Sequence, residues 1–402
     1  MRRRVVFCCP IGRTGQAPWP DKPQPDTLKR DKDVLHDDAG RSEMERTIGI
    51  LLDPQTYRAL PRKETGQEDV GLYDRSARKL GLTLLYFTLG ELRRGYVTGR
   101  ILQNGRYRQV KAAIPPVTHN RTLIGTTAGK RRMRRLQASS TVFNGDNRYS
   151  KLYIHRLLAA YKELRPYLPA TWPYSAQRLA KAMRSGLTVY LKPLDGTVGR
   201  GIVKLTPIPD TGRWKLQWGD NRQELASASA AEAWVRRKIC GRSYLIQEAI
   251  PLASSEGRPF DLRVAVQRDG TGFWKVTGVL GKRAAAGSHI TNIARGGTSL
   301  PGETLLRTGV ANPAAAMAEV HRVSLAIARR LGQRLPLLAD LGLDVGVDRD
   351  GRVSFIEMNG RHQRMAFAEA GMREAYERIY EMPLRYAAYV LDRIERHGRQ
   401  RR

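Results

Sequence analysis

Residues 341–359 read LGLDVGVDRDGRVSFIEMN, two alternating apolar runs on either side of Asp350-Gly351. An Asp-Gly pair between such runs is the strongest short-range hairpin signal, because the turn needs positive φ and glycine supplies it without steric penalty. A two-residue loop there sets Arg349 opposite Arg352, and stepping outward sets Asp344 opposite Glu357. Side chains alternate between the faces of a strand. Leu343, Val345 and Val347, with Ile356 and Met358, therefore bury one face. Asp344, Glu357 and, two residues further, Asn359 share the other, with Asp348 nearer the turn. Like charges directly opposite each other destabilise a sheet. The pairing makes sense if a hard divalent cation stands between them, since Mg²⁺ takes one or two carboxylates and completes its shell with water and phosphate oxygens. The plain alternative is an exposed acidic pair on a solvated face.

Composition bounds what surrounds the hairpin. At 402 residues and 41% hydrophobic, the chain is long enough for two or three domains with cores of their own. No run approaches the roughly 18 apolar residues of a membrane helix, and the apolar stretch that opens the chain is interrupted by Pro10, too soon for a secretory core. The expectation is a cytoplasmic protein. Three cysteines, two of them adjacent at Cys8 and Cys9 and the third isolated at Cys240, give neither a disulfide framework nor a zinc spacing. Seventy basic residues against 38 acidic ones give a net charge of +32, which favours an acidic partner such as nucleotide phosphates or an anionic polymer.

Residues 1–43 carry Pro18, Pro20, Pro23 and Pro25 among charged residues without apolar periodicity, and read as a disordered tail or a mis-assigned start ahead of Met44. Residues 44–143 read as a small α/β domain with a strand at 47–52, a helix at 71–80, a strand at 82–87 and a hairpin about Asn104-Gly105. The densest basic run, KRRMRR at 130–135, could contact an anion or simply be solvated. Gly125 to Arg131 is no P-loop: only three residues separate its glycines, and Arg follows the Lys. No base-reading motif accompanies the basic run, so nucleic acid is not an expected partner.

From Lys151 the pattern is helical, and Ser175 caps a second helix that Gly186 closes. An alternating strand at 187–192 then leads into Asp195-Gly196-Thr197-Val198-Gly199-Arg200-Gly201 and another strand. These glycines have neither the spacing nor the helix context of a dinucleotide fingerprint. In a hairpin they let backbone N–H groups approach phosphate oxygens, with Lys192 supplying a point charge; an ordinary glycine turn is the alternative. Residues 244–250 form a buried strand ending in Gln247 and Glu248, a place where backbone groups can meet an adenine edge. In residues 260–266, Asp261 and Arg263 share a face, with Asp269-Gly270 as the next turn. Arg263 and Arg283 are candidates for phosphate contact. Asn292, Arg295, Gly296 and Gly297 follow in a turn where Asn and Gly are expected for backbone reasons alone.

This order of features resembles the ATP-grasp ligases: lysine at a helix start, lysine before a glycine hairpin, Gln-Glu strand, Asp-Leu-Arg, Asn-x-x-Arg-Gly-Gly, and Asp with Glu-x-Asn. The chain is most similar to the YheC/YheD-like endospore coat-associated family. The similarity is carried by NRTLIG from Asn120, LPATWPYS from Leu168, LKPLDGTVGRGI from Leu191, EGRPFDLRVAVQRDGTG from Glu256, TNIARGG from Thr291 and the hairpin itself. The ribosomal-protein glutamate ligases share the catalytic half. The resemblance implies an N-terminal α/β domain followed by a two-lobed ATP-grasp fold of α/β and α+β class, with lobes at 144–250 and 251–402. It implies ATP, with Mg²⁺ or Mn²⁺, as cofactors. Lys151 and Lys192 would bind the phosphates, with Gly196, Thr197, Gly199 and Gly201 in the hairpin over them. Gln247, Glu248, Ala249 and Ile250 would face the adenine, and Asp261 the phosphate side. Asp344, Glu357 and Asn359 would hold the metal, while Arg263, Arg283, Asn292 and Arg295 would line the acyl-phosphate region. The implied activity is carboxylate–amine ligation with an unidentified acid and amine, an acidic peptide or polymer among the choices; the alternative is a nucleotide-binding interaction protein of the spore coat, with coat proteins as partners.

Two positions depart from the ligases. They read Asn-Leu-His-Arg-Gly-Gly where this chain has Asn292-Ile-Ala-Arg-Gly-Gly297. They also follow Glu-x-Asn with a small residue and Pro-Gly where Gly360-Arg-His-Gln363 stands here. Both lie on the acceptor side of the expected site.

Overall fold

The strand Asp340–Val347 is buried along its whole length, and three sheets are arranged about it. The structure, a computed structural model, describes residues 46–194, 201–219, 221–288 and 290–400. The expected tail at 1–43 lies outside them, as do Gly196, Thr197 and Gly199. The described residues belong to one compact unit.

The first sheet lies within residues 47–143. Strands Thr47–Leu51, Thr83–Phe87, Val117–Asn120 and Thr141–Phe143 run parallel, and Tyr96–Gln103 with Arg106–Ala113 add an antiparallel hairpin at the edge. Its turn is Asn104-Gly105, both at positive φ (49° and 77°), as a two-residue turn of the mirror-image type requires. The helices Val70–Lys79 and Arg373–Gln400 cover one face, packing Tyr73, Tyr380 and Leu384 against Ile48 and Ile50. The second sheet, within residues 171–248, is antiparallel and is backed by helices Ala176–Arg184 and Ala228–Ile239, which bury Leu179 and Val235 against Leu191, Leu205 and Ile246. The third sheet contains Arg258–Arg268, Trp274–Arg283, Asp340–Val347 and Val353–Asn359, with the long helix Pro313–Arg334 laid over its apolar face through Val320, Val323 and Ile327.

The hairpin pairs Gly342 with Asn359, Leu343 with Met358 and Asp344 with Glu357, as the alternation requires. Its turn differs from the expected two-residue loop. The strands end at Val347 and Val353, and the Asp348 carboxylate accepts from the N–H groups of Asp350 at 3.0 Å and Arg352 at 2.8 Å. This side-chain capping favours a longer loop, and a bulge after Asp344 restores the register. Val353 and Phe355 consequently join Val345 and Val347 in the core, while Ile356, expected there, lines the cleft described below.

A similar correction applies upstream. Asp269-Gly270 is not a two-residue turn: Asp269 N–H donates to Phe273 at 2.9 Å, its carboxylate accepts from Thr271 and Phe273, and Gly272 supplies the positive φ of 84°. A second bulge, between Ala265 and Val266, then sets Asp261 opposite Lys282.

Candidate functional site

A cleft of about 1250 Å³ is lined by strand residues of the second and third sheets and by loop and helix residues that connect or follow the strands of the first. From the second sheet come Lys192 and Gln247, on neighbouring antiparallel strands. Lys192 Nζ donates to Gln247 Oε1 at 2.6 Å, and Gln247 Nε2 donates to Thr171 Oγ1 at 3.0 Å. The ammonium thus faces a neutral amide rather than a carboxylate. Burial, reinforced by the charge of Lys151, pushes the Lys192 amine down to about 8.

The third sheet supplies the opposite wall. Asp261, Arg263, Lys282, Asp344, Glu357 and Asn359 come from four adjacent strands of it, and Lys151 joins them from the first turn of helix Lys151–Ala159. Asp344 and Glu357 are direct cross-strand neighbours, but each carboxylate is held by its own cations. Arg263 binds both oxygens of Asp344, with Nη2 at 2.9 Å from Oδ2. Lys282 Nζ lies 3.0 Å from Asp344 Oδ2 and 3.0 Å from Asp261 Oδ1. Lys151 Nζ lies 2.7 Å from Glu357 Oε2. The expected uncompensated repulsion is therefore absent.

Electrostatics follow from these contacts. Burial alone would raise the Asp344 carboxyl, yet Arg263 and Lys282 hold it well below the ordinary range. Burial works against Glu357 in the same way, as does the neighbouring Asp344, and Lys151 together with Lys192 brings it below the ordinary range. Asp261 goes the other way: burial raises it, with Asp344 adding to the effect, and Lys282 and the Thr291 hydroxyl only moderate the rise. Among the described residues no group of three or more His, Cys, Asp or Glu is placed to hold a metal. Two carboxylates and the Asn359 amide nevertheless form a hard oxygen donor set of the sort Mg²⁺ takes when phosphates complete its shell. The Asn359 Nδ2 atom is buried with no hydrogen-bond partner among the described residues, and turning the amide over puts its oxygen at that point. The donor set fits a hard divalent cation.

The other expected residues divide. Glu248 and Ile250 line the cleft; the Glu248 and Ala249 N–H groups are already spent on Ala170 and Thr188, both at 2.9 Å. Gly201 is at φ 75°, and its carbonyl accepts from the Tyr244 hydroxyl at 3.1 Å. Asn292 lines the cleft while its side chain caps the following turn through Ala294 N–H at 2.9 Å. Gly297 has a backbone role too, since a Cβ there would meet Arg283 O at 2.9 Å. Arg283 and Arg295 are not among the residues lining the cleft; Arg283 instead pairs with Glu256 at 2.7 Å. Its neighbour Lys282 takes the position inside, a residue the strand alternation alone did not single out.

Also unexpected is a buried ion network beneath the cleft. Asp340 lies 2.6 Å from Arg364 Nη2 and 3.3 Å from each of His119 and His362, and Arg121 clasps Glu68 through two bonds of 2.9 Å. Asn144, at the end of the first sheet, fastens this network to the hairpin: its Oδ1 accepts from Ala339 and Asp340 N–H, and its Nδ2 donates to Gly360 O at 2.8 Å. Among the described residues no helix is long and apolar enough to cross a membrane.

Comparison with known proteins identifies the family and the fold. The family described as YheC/D like ATP-grasp matches residues 139–390. Two proteins of Bacillus subtilis (strain 168) are similar. The endospore coat-associated protein YheD is 25% identical over 254 residues, covering 61% of this chain and 55% of its own, so this chain spans about half of that relative. The endospore coat-associated protein YheC is 20% identical over 301 residues, covering 73% and 82%. Among solved structures, the ATP-grasp ligase PsnB complexed with minimal precursor has a TM-score of 0.51 at 14% identity, covering 87% of this chain and 100% of that one. The same ligase complexed with a phosphomimetic variant of its precursor, Mg and ADP has a TM-score of 0.50, also at 14% identity, covering 87% and 99%. At such identities the likeness is one of fold.

Proposed function

The chain belongs to the YheC/D-like ATP-grasp family, and on that premise we propose that its cleft binds Mg-ATP and joins a carboxylate to an amine through an acyl phosphate. The observation that carries this reading is the placement, in one cleft, of a Lys192 ammonium whose hydrogen bond goes to a neutral amide and of the paired carboxylates Asp344 and Glu357. The first is a phosphate site, and the second suits a cation that would arrive with the phosphates.

Each residue then has a task. Lys192 and Lys151 take the phosphate oxygens, Lys151 leaving Glu357 as the nucleotide enters. Glu248 and Ile250 meet the purine at the end of their strand. Asp344, Glu357 and Asn359 would hold Mg²⁺, which would supply charge neutralisation for the phosphates. Arg263 and Lys282 fix the Asp344 carboxylate and keep positive charge beside the transferring group. A carboxylate oxygen of the acid attacks the γ phosphorus and ADP leaves. The amine then attacks the acyl carbon, phosphate leaves, and the nitrogen loses a proton. Asn292 stands at the cleft edge on the acceptor side.

A second reading is supported by the spore-coat association in both relatives' names. In it the fold binds nucleotide for assembly, without turnover. Incubating the protein with Mg-ATP and pools of amino acids or acidic peptides separates the two. ADP release matched by a product of added mass is expected; nucleotide binding with no ADP under any pool favours the scaffold.

A further inference from the structure

The wall of the cleft formed by the helix and loops around the first sheet differs from the other two. It carries Arg121, Lys130, Arg134 and Arg148 against Glu68 and Asp146, with Arg361 beside them from just beyond the strand Val353–Asn359. Two of these arginines are committed, Arg121 to Glu68 at 2.9 Å and Arg361 to Asp53 at 3.6 Å. Lys130 and Arg134 are exposed and have no ion pair among the described residues. Both lie on helix Thr127–Gln137, whose buried Met133 and Leu136 anchor it to the sheet.

The spacing of these cations restricts what they can hold. Residues four apart on a helix are neighbours on one face, about 6 Å apart at their Cβ atoms. In an extended peptide, side chains two residues apart lie on one face about 6.6 Å apart. A Glu-x-Glu segment running along this helix therefore offers one carboxylate to each cation. Beside them Leu123, 50% exposed, and Ile124 line the same wall and offer an apolar contact to a side chain two residues before or after the pair, which shares their face. A free small acid would leave this contact unused, and a phosphodiester strand has no apolar group to place there.

We propose that helix Thr127–Gln137 docks an extended acidic peptide, with Lys130 and Arg134 binding carboxylates two residues apart, and that this peptide supplies the carboxylate or the amine to be joined. The proposal rests on the ligase reading above but names its own surface. Surface charge pairs respond to salt and to charge reversal, so the expected effects are measurable though modest.

The test uses the full chain and a fluorescein-labelled peptide of Glu-x-Glu repeats, followed by anisotropy with Mg²⁺ and a non-hydrolysable ATP analogue. The double variant Lys130→Glu with Arg134→Glu should weaken peptide binding about tenfold or more. The double variant Arg132→Glu with Arg135→Glu, on the same helix but away from the cleft, should change it less than about threefold. Analogue affinity should be the same in all three proteins. Should charge reversal unsettle the fold, Lys130→Gln with Arg134→Gln gives the same comparison. Equal losses in both double variants, or no loss in the first, would overturn the proposal. So would an oligonucleotide of equal charge that binds more tightly than the peptide and depends on the same two residues. A wild-type protein that binds the peptide in this pattern yet shows no nucleotide-induced thermal shift would sink the ATP reading and leave the docking surface standing.

Discussion

Lys192 Nζ donates to Gln247 Oε1 at 2.6 Å, so this buried-side ammonium has an amide as its partner while Glu357, Asp344 and Asp261 act on it only from a distance. A lysine lowered to about 8 by burial and by Lys151 loses its charge in the ordinary assay range. ATP phosphates favour the charged form, so binding above pH 8 should take up a proton. Affinity should then fall as pH rises through 8 and beyond. Calorimetry in buffers of different ionisation heat measures that uptake. Lys192→Ala should abolish it and weaken ATP about ten- to a hundredfold. The sign for stability is the reverse of a stabilising ion pair. With the folded value below the unfolded one, the unfolded chain binds more protons between about 8 and 10.5, and this group's contribution to stability rises with pH across that window.

Lys282 bridges Asp261 and Asp344 at 3.0 Å each and is 8% exposed. Lys282→Met keeps the volume and leaves two buried carboxylates with less compensation. Breaking a buried pair by removing one partner costs about 3 to 5 kcal/mol. The loss should be greatest near neutral pH and should shrink on acidification, because Asp261, already raised by burial, then takes up a proton. Denaturant titrations at pH 5 and pH 7.5 check this. A deficit independent of pH would contradict the assigned pairing. Arg283→Met, on the outer face with Glu256, should cost about 1 kcal/mol or less.

Glu357 shows how the structure alters an expectation drawn from alternation. If the acids were opposed without compensation, Glu357→Gln would stabilise the metal-free protein. Lys151 lies 2.7 Å from that carboxylate, so the substitution also removes an ion pair, and the two effects offset. The expected change is a loss within about 1 kcal/mol, together with loss of the Mg-ATP thermal shift. Because the folded Glu357 value is lowered, its contribution is present above the unfolded value and fades as pH falls. A full Mg-ATP shift in this variant would remove Glu357 from the metal site. Asp348 serves as a control for ligand response only. Asp348→Ala should lose about 1 kcal/mol through the turn it caps, and leave the Mg-ATP shift intact.

The mixed α/β class and the strands beside the cleft were legible because turn residues and alternation are local signals, and the ordered motifs from Lys192 to Asn359 identified the fold. The pairing of Asp344 with Glu357 was legible for the same reason. The turn's length was not, since it depends on the Asp348 side chain capping two N–H groups, and the compensating bulge sends Ile356 to the cleft. Upstream, the longer turn alone would bring Arg283 to the face of Asp261, and the bulge between Ala265 and Val266 restores Lys282 there. The ion network of Glu68, Arg121, Asp340 and Arg364 had no local signal. Its members lie as far apart as residues 68 and 364, and only the packing of the first sheet onto the third brings them together.

That network yields the last prediction. His119 is fully buried, stacked on Phe143 at 4.5 Å and 3.3 Å from Asp340 Oδ2. Burial, aided by Arg121 and Arg364, outweighs the pull of Asp340 and lowers the His119 value to about 4, while burial lowers His362 as well. Two histidines buried neutral make the unfolded chain the better proton acceptor below its ordinary histidine value of about 6.5. Their contribution to stability is therefore complete above about 6.5 and falls as pH drops towards 4. Asp340, held well below the ordinary carboxylate range, adds a second loss as pH falls through the acid range. Acid unfolding should begin near pH 6, before most carboxylates titrate. Imidazole resonances of His119 in the folded protein should stay neutral down to about pH 4; titration near 6.5 would refute its burial in this network. Asp340→Asn should cost about 3 to 5 kcal/mol at neutral pH, because Arg364 and Arg121 would share the Glu68 carboxylate alone. Asn144→Ala, which removes the clamp on Gly360 and Asp340 without touching a charge, should cost about 2 to 3 kcal/mol. It should also weaken Mg-ATP binding, since Gly360 follows Asn359 directly. An Asn144→Ala protein with weakened stability and an unchanged Mg-ATP shift would show that the clamp serves the fold and not the site.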